Sequence, residues 1–442
     1  MTSAGMGAPI RWVSRCRRWP RCFSSKAARR RRVRPNRSPR MAEIYHALGL
    51  HMHQPLGNLL ALHNSNERWE ARQILWCYDR PTRMLEGYED VARLHMGFSG
   101  TLLKQLEDDG VRQTFHDVVD VEDFLARYRR SNIEFVGSGQ FHPVYPLIPD
   151  TDWEAQTAWW IGLGRHLLGR ERFEGFWPPE MGFCMEMIPT LARLGYKYAV
   201  VDCCYIKPKR PMRWEEIRYR PWRARYDGAE IVVVPRDREL SNAQLSGLDP
   251  GWFQHEVYHR TKSCDFPALV TTWTDGENGG WFRGTAVQGG FWGYFYRPLL
   301  DRYRAGTLGF APIHISEFIR RFPPTEEVDV HRGAWNTEHH WGGDFTQWTG
   351  SLLQKKGWDE IRNASSYYQK VKRAFDERGP ASSDPQEVRH LITHAYDLIL
   401  SAETSCHFYW GSRWVHRSFD ELEQAYFLLD TAMTKLGGGP DK

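Results

Sequence analysis

The sequence predicts an α/β fold: repeated βα units wound into a barrel-like body, followed by an α-helical bundle region. Three observations predict it. From about residue 43 to 320, short apolar runs alternate with helical patterns, as strands of a parallel sheet alternate with crossover helices. Four polar clusters fall just beyond the carboxyl ends of expected strands, where loops of such folds gather functional groups. From about Phe345 the texture changes to long helical patterns.

The expected strands, in order, are Ile44–His51, Arg93–Phe98, Ile133–Val136, Gly175–Trp177, Lys197–Val201, Ile231–Val234 and Ala268–Thr272. Helical patterns lie between several of them, such as Trp153–Leu168 and Met187–Leu194. Pro189 in the first turn of the latter suits a helix start. Further helices are expected over Gly357–Glu377, Val388–Ser405 and Ser418–Leu436, with a loop at Gly379–Pro385. The expected organisation is a basic disordered leader over residues 1–40, a barrel over 41–350 and a helical C-terminal domain over 351–442.

Composition narrows the function classes. Hydrophobic residues make up 41% of the 442, enough for a sizeable core, and no apolar stretch approaches the roughly 18 residues of a membrane span. The net charge of +5 is a property of the leader, which holds 13 Lys or Arg and no acid. The remainder carries 46 basic against 54 acidic residues, a net of −8, which argues against a nucleic-acid partner for the body. The leader lacks the apolar core of a secretory signal. Met41 runs directly into the first strand and is expected to open the native protein. Six cysteines lie outside the leader (Cys77, Cys184, Cys203, Cys204, Cys264, Cys406) with no Cys-x-x-Cys pair, which fits a reducing, cytoplasmic location and no structural zinc. Of 20 Trp, 18 lie outside the leader, and flat indole faces suit sugar rings.

The polar clusters carry the chemistry. His51-Met52-His53-Gln54 ends the first strand, and Gly139-Gln140-Phe141-His142 follows the third. Trp177-Pro178-Pro179-Glu180 follows the fourth, and Asp275-Gly276-Glu277 follows the seventh. Glycosidic cleavage needs two carboxyl groups flanking the anomeric carbon, one to attack and one to protonate the leaving oxygen. Glu180, on a loop stiffened by two prolines, suits the attack; Asp275 suits the protonation, with Glu277 binding sugar hydroxyls. Asp275-Gly276-Glu277 equally suits a solvated acidic turn or half of a calcium loop. His51 and His53 share a face by period two and suit hydroxyl binding, metal ligation or a structural pair, with Gln54, Gln140 and His142 adding polar groups. Trp335, Trp341 and Asp344 read as part of a carbohydrate platform, Trp281 as a substrate contact closing the Asp275 loop, and Trp410, in the helical region, as a residue leaning over the barrel mouth.

Together and in this order, these motifs resemble glycoside hydrolase family 57. The match lies in His53-Gln54-Pro55, Gly139-Gln140, Trp177-Pro178-Pro179-Glu180, Asp275-Gly276-Glu277 and the stretch Trp335 to Trp348. The resemblance implies a (β/α)7 catalytic barrel, action on α-glucans with retention, and no catalytic metal or cofactor. It also implies Glu180 as nucleophile, Asp275 as acid/base, and His53, His142, Trp177 and Trp341 as substrate contacts. The family includes α-amylases, 4-α-glucanotransferases and branching enzymes. Three alternatives stand beside it: a metal-dependent deacetylase or α-mannosidase with ligands His51, His53, His142 and Asp202, a non-catalytic glucan-binding protein, and a nucleic-acid-associated protein acting through the leader.

Overall fold

The computed structural model describes residues 43–437 apart from 245–248, 280–289, 336, 338–344, 380, 381 and 383. Eleven strands are described: β1 (Ile44–Met52), β2 (Leu94–Phe98), β3 (Glu134–Gly137), β4 (Gly175–Phe176), β5 (Tyr198–Asp202), β6 (Ile206–Pro208), β7 (Trp222–Tyr226), β8 (Ala229–Arg236), β9 (Ala268–Asp275), β10 (Ala311–Pro312) and β11 (Val328–Val330). All seven expected strands are present. They are β1 to β5, β8 and β9, and every one is parallel to its neighbours in the order β9-β1-β2-β3-β4-β5-β8.

The two ends of that series meet. Asp237, just past β8, donates its backbone N–H to Thr271 O of β9 at 2.8 Å. Arg236 Nε donates to Trp273 O at 2.9 Å, and Trp273 N to Ser241 Oγ at 3.0 Å. Seven parallel strands thus form a barrel of the TIM-like type. β10 adds a short parallel pairing to the amino end of β1 (Tyr45↔Ala311), and β7 joins β8 through a turn at Asp227 and Gly228 with φ of 44° and 74°. β6 and β11 make a separate antiparallel ribbon.

Strands covered on both faces read as continuous apolar runs, and β1 is buried along nearly its whole length. The barrel interior is filled by Trp177 and Trp273, stacked at 4.7 Å between ring centroids, with Tyr45, Val136, Tyr198 and Leu269 around them. Gly49 is the counterpart of that stack: a Cβ there would lie 2.0 Å from the Trp273 ring. A larger core fills the space between strands and outer helices.

The helical region comprises Leu352–Arg378, Pro385–Ala402 and Ser412–Lys435. Ser351 and Gln354 form a capping box on the first, and Asp384 caps the second ahead of Pro385. Val388, Ile392, Ala395 and Ile399 recur at helical spacing and are buried. The link between the second and third helices, Glu403–Gly411, turns back onto the barrel: Ser405 N donates to His142 O at 3.0 Å, and Thr404 bridges Pro143.

Candidate active site

A cavity of about 650 Å³ opens at the carboxyl ends of the strands, within the usual size range of ligand pockets. Glu180 enters it from the loop after β4, and Asp275 and Glu277 from the end of β9. In the ring order, three strands separate β9 from β4 on one side and two on the other, so the two loops occupy near-opposite positions. Glu180 and His142 both hold left-handed backbone, φ 55° and 57°. Non-glycine residues take that conformation at a cost of order 1–3 kcal/mol, met only where the surroundings impose it. Gly276 has no room for a side chain either, since a Cβ would meet Met52 Sδ at 1.9 Å.

The three carboxyl groups differ in their partners. Glu180 accepts from Trp335 Nε1 at 2.6 Å and from Ser405 Oγ at 2.9 Å. Glu277 accepts from Tyr78 Oη and, at 3.1 Å, from Gln54 Nε2. Among the described residues no donor is hydrogen-bonded to the Asp275 carboxyl, and the Arg236 guanidinium eases its ionisation. Burial pushes the affinity for protons up in all three, Glu180 to about 7. Glu277 is raised further by the neighbouring Asp275. A solvated acidic turn is therefore the wrong reading of Asp275-Gly276-Glu277: Glu277 is only 7% exposed and its carboxyl is bonded inward.

Three histidines line the floor. His51 Nε2 lies 2.9 Å from His142 Nε2, and His142 Nδ1 lies 3.0 Å from Ser405 Oγ. His53 stacks on His142 at 3.6 Å, with planes 11° apart, and its Nε2 meets Cys406 Sγ at 3.1 Å. Burial holds all three neutral, with their protonation driven well below the usual imidazole range. One nitrogen of each lies within 4.8 Å of the others. An ion must sit near the plane of each imidazole that binds it. Within ligand distance no point lies in the planes of both His53 and His142, whose rings stack 3.6 Å apart at 11°. Asp202, the fourth ligand of the metal alternative, is turned away, held by Arg236 and Arg238 at 3.4 and 3.0 Å. The cluster suits hydrogen bonding and not metal ligation.

The wider comparison is consistent with this geometry. The profile of glycosyl hydrolase family 57 matches residues 47–331. The chain belongs to glycosyl hydrolase family 57. It is 26% identical to an alpha-amylase of Pyrococcus horikoshii over 55% of this chain and 35% of that protein. It is also 26% identical to a 4-alpha-glucanotransferase of Thermococcus litoralis over 64% of this chain and 40% of that protein. The match thus spans less than half the length of these relatives. In fold, the chain resembles the family 57 branching enzyme of Pyrococcus horikoshii, with a TM-score of 0.69 at 15% identity over 89% of this chain and 94% of that one.

For a family 57 chain, most of the expected residues converge. His51, His53, Gln54, His142, Glu180, Asp275, Glu277, Trp335 and Trp410 all line the cavity. Two expected contacts lie behind its wall instead. Trp177 is fully buried on Trp273, and Gln140 is buried with its backbone N–H bonded to Gln156 O at 2.8 Å. Trp281, Trp341 and Asp344 fall outside the described residues. Tyr78, Arg236 and Ser405 were not anticipated. Arg236 ends β8 and was open to the same strand-end rule as Asp275; Ser405 sits in the aromatic-rich stretch from which Trp410 alone was singled out.

Proposed function

We propose that this chain cleaves or transfers α-glucosyl units with retention of configuration, as the names of its relatives, alpha-amylase and 4-alpha-glucanotransferase, suggest. The observation that carries the reading is the difference between the two facing carboxyl groups. Glu180 receives two hydrogen bonds that favour its charged form, while Asp275, among the described residues, receives none. Glu180 attacks the anomeric carbon as Asp275 gives its proton to the departing glycosidic oxygen, leaving a glycosyl ester. Asp275, now a carboxylate, takes a proton from water or a sugar hydroxyl, whose oxygen attacks the same carbon and frees Glu180. Water gives hydrolysis; a hydroxyl gives transfer. Tyr409 and Trp410, more than half exposed at the rim, offer aromatic faces to the rest of the chain of sugars.

Product analysis on maltoheptaose and amylose tests the reading. The wild type is expected to yield shorter glucans if water is the acceptor, and both longer and shorter ones if a sugar is. Glu180→Gln is expected to yield neither. A Glu180→Gln enzyme as active as wild type would sink the assignment.

The pH dependence follows from the same carboxyls. Below the optimum Glu180 is protonated and cannot attack; above it Asp275 has lost the proton it must donate. Burial raises both, Glu180 to about 7 and Asp275, eased by Arg236, to about 6. The competent form, with Glu180 charged and Asp275 protonated, is thus the minority one, and kcat/KM is expected to peak between these two values. An optimum at pH 4 to 5, where exposed carboxylates titrate, would contradict the desolvated pocket.

The free thiols at Cys184, Cys203, Cys204, Cys264 and Cys406 support a reducing, cytoplasmic setting. Among the described residues no helix is long and apolar enough to cross a membrane.

A further inference from the structure

Ser405 belongs to the helical region and His142 to the barrel, yet the two share a hydrogen bond directly beneath Glu180. We propose that Ser405, oriented by His142, is a positioning residue that holds Glu180 in its attacking, ionised form. The proposal rests on Glu180 being the nucleophile and adds a residue to that site.

With Glu180 ionised, counting protons fixes the direction of the chain. Ser405 has one hydroxyl proton, and it is given to Glu180 Oε1 at 2.9 Å. Its oxygen therefore accepts from His142 Nδ1 at 3.0 Å, so that nitrogen carries the imidazole proton. A neutral imidazole has only one N–H. His142 Nε2 is then bare and accepts from His51 Nε2 at 2.9 Å. Every bond has one donor and one acceptor, running His51 to His142 to Ser405 to Glu180. Reversing the last bond would require a protonated Glu180.

The surroundings hold the two halves in register. Gln156 is fully buried and grips both sides. Its Oε1 accepts from Phe141 N at 2.9 Å, next to His142, and its Nε2 donates to Leu400 O at 2.9 Å and Glu403 Oε2 at 2.8 Å, next to Ser405. Among the described residues the other groups bearing on Glu180 are Asp275, Cys406, Tyr409 and His142, whose Nδ1 lies 3.7 Å from Oε1; Asp275 opposes its ionisation. Trp335 supplies the second donor. In the glycosyl ester Glu180 is uncharged, and charge returns to its oxygens as the ester breaks. The Ser405 hydroxyl then stabilises the departing carboxylate.

The test compares Ser405→Thr and Ser405→Val in the full chain, side chains of nearly equal volume of which only Thr keeps a hydroxyl. The ionisation midpoint of Glu180 is read by 13C NMR on glutamate-labelled protein, with the signal assigned by its loss in Glu180→Gln. Ser405→Thr is expected to leave the midpoint within a few tenths of a unit of wild type. Ser405→Val is expected to raise it by about one pH unit, a tenfold change in ionisation. The acidic limb of kcat/KM on maltoheptaose is expected to follow. His142→Leu, which removes the donor that orients the hydroxyl, is expected to shift the midpoint the same way. Should Ser405→Val fail to fold, Ser405→Ala makes the same comparison. Equal midpoints for the hydroxyl and apolar variants would overturn the proposal. Absence of turnover in the wild type would instead overturn the α-glucan reading, and the NMR midpoint would still decide the role of Ser405.

Discussion

An Asp275→Ala variant is expected to lose about 10³-fold in kcat/KM on maltoheptaose but far less in kcat/KM on α-glucosyl fluoride. A sugar alkoxide is a poor leaving group and needs the proton Asp275 supplies, whereas fluoride leaves without one. The same variant also lacks the base that activates water in the second step, so the glycosyl ester on Glu180 should persist. Azide, which needs no base, is expected to capture it from the face the leaving group vacated, giving α-glucosyl azide. Glu180→Ala, having no ester to capture, is expected to give β-glucosyl azide by direct displacement. The two carboxyls sit at near-opposite positions in the ring, so the anomer identifies which one was removed. An Asp275→Ala enzyme equally impaired on both substrates would remove Asp275 from the acid role and direct attention to Glu277, its neighbour on the same loop.

The second large effect concerns stability. Asp152 and Glu403 are both fully buried under the helical region, and burial raises the proton affinity of both. Tyr396 donates to Asp152 at 2.9 Å and Gln156 to Glu403 at 2.8 Å. One oxygen on each carboxyl, Oδ2 of Asp152 and Oε1 of Glu403, has no hydrogen-bond partner among the described residues. Burial and the nearby Asp152 raise the proton affinity of Glu403 well above that of an unfolded glutamate. The folded protein therefore keeps a proton that the unfolded chain releases. The contribution of Glu403 to stability is greatest below the usual glutamate range, near pH 4.3, and falls as pH climbs toward the folded value. Glutamine supplies a similar donor and acceptor without a titrating proton. Glu403→Gln is thus expected to match wild type in Tm near pH 5 and to exceed it by a few degrees at pH 8.5. Calorimetry at the two pH values decides the matter. A variant that melts lower by the same amount at both would mean that Glu403 is charged in the fold.

The barrel was legible because its strands are apolar on both faces and end in polar clusters. β6, β10 and β11 are only two or three residues long, too short for any period to emerge, and β7 spells Trp-Arg-Ala-Arg-Tyr, which resembles a surface segment more than a sheet edge. Trp177 was placed on the wrong side of the wall for an avoidable reason. Gly175 and Trp177 share the inner face by period two, and the chain is still strand-like at Trp177, whose N–H bonds Gly137 O at 2.8 Å. Its indole therefore points into the barrel and not up into the cleft. Glu180 escapes that parity only through its left-handed turn, which no local pattern in Pro-Pro-Glu announces. Ser405 was illegible for a different reason. Its role depends on docking against residues 142 and 180, and no spacing along one segment encodes a contact made across the fold.

The pairing of β1 has a consequence for how the polypeptide is made. As the chain leaves the ribosome, β1 emerges ahead of the other described strands, yet one of its lateral partners is β9, with His46 reaching Thr272 across 226 residues. At about 5–20 residues per second, that partner arrives roughly 10 to 45 seconds later. Through that interval an almost wholly apolar strand has an open edge, the kind of surface that nascent chains bury transiently against chaperones. The wait at the site is longer still, since His53 meets Cys406 across 353 residues. Catalytic competence is therefore a late event in synthesis, reached only after the ribosome has released the segment that carries Ser405.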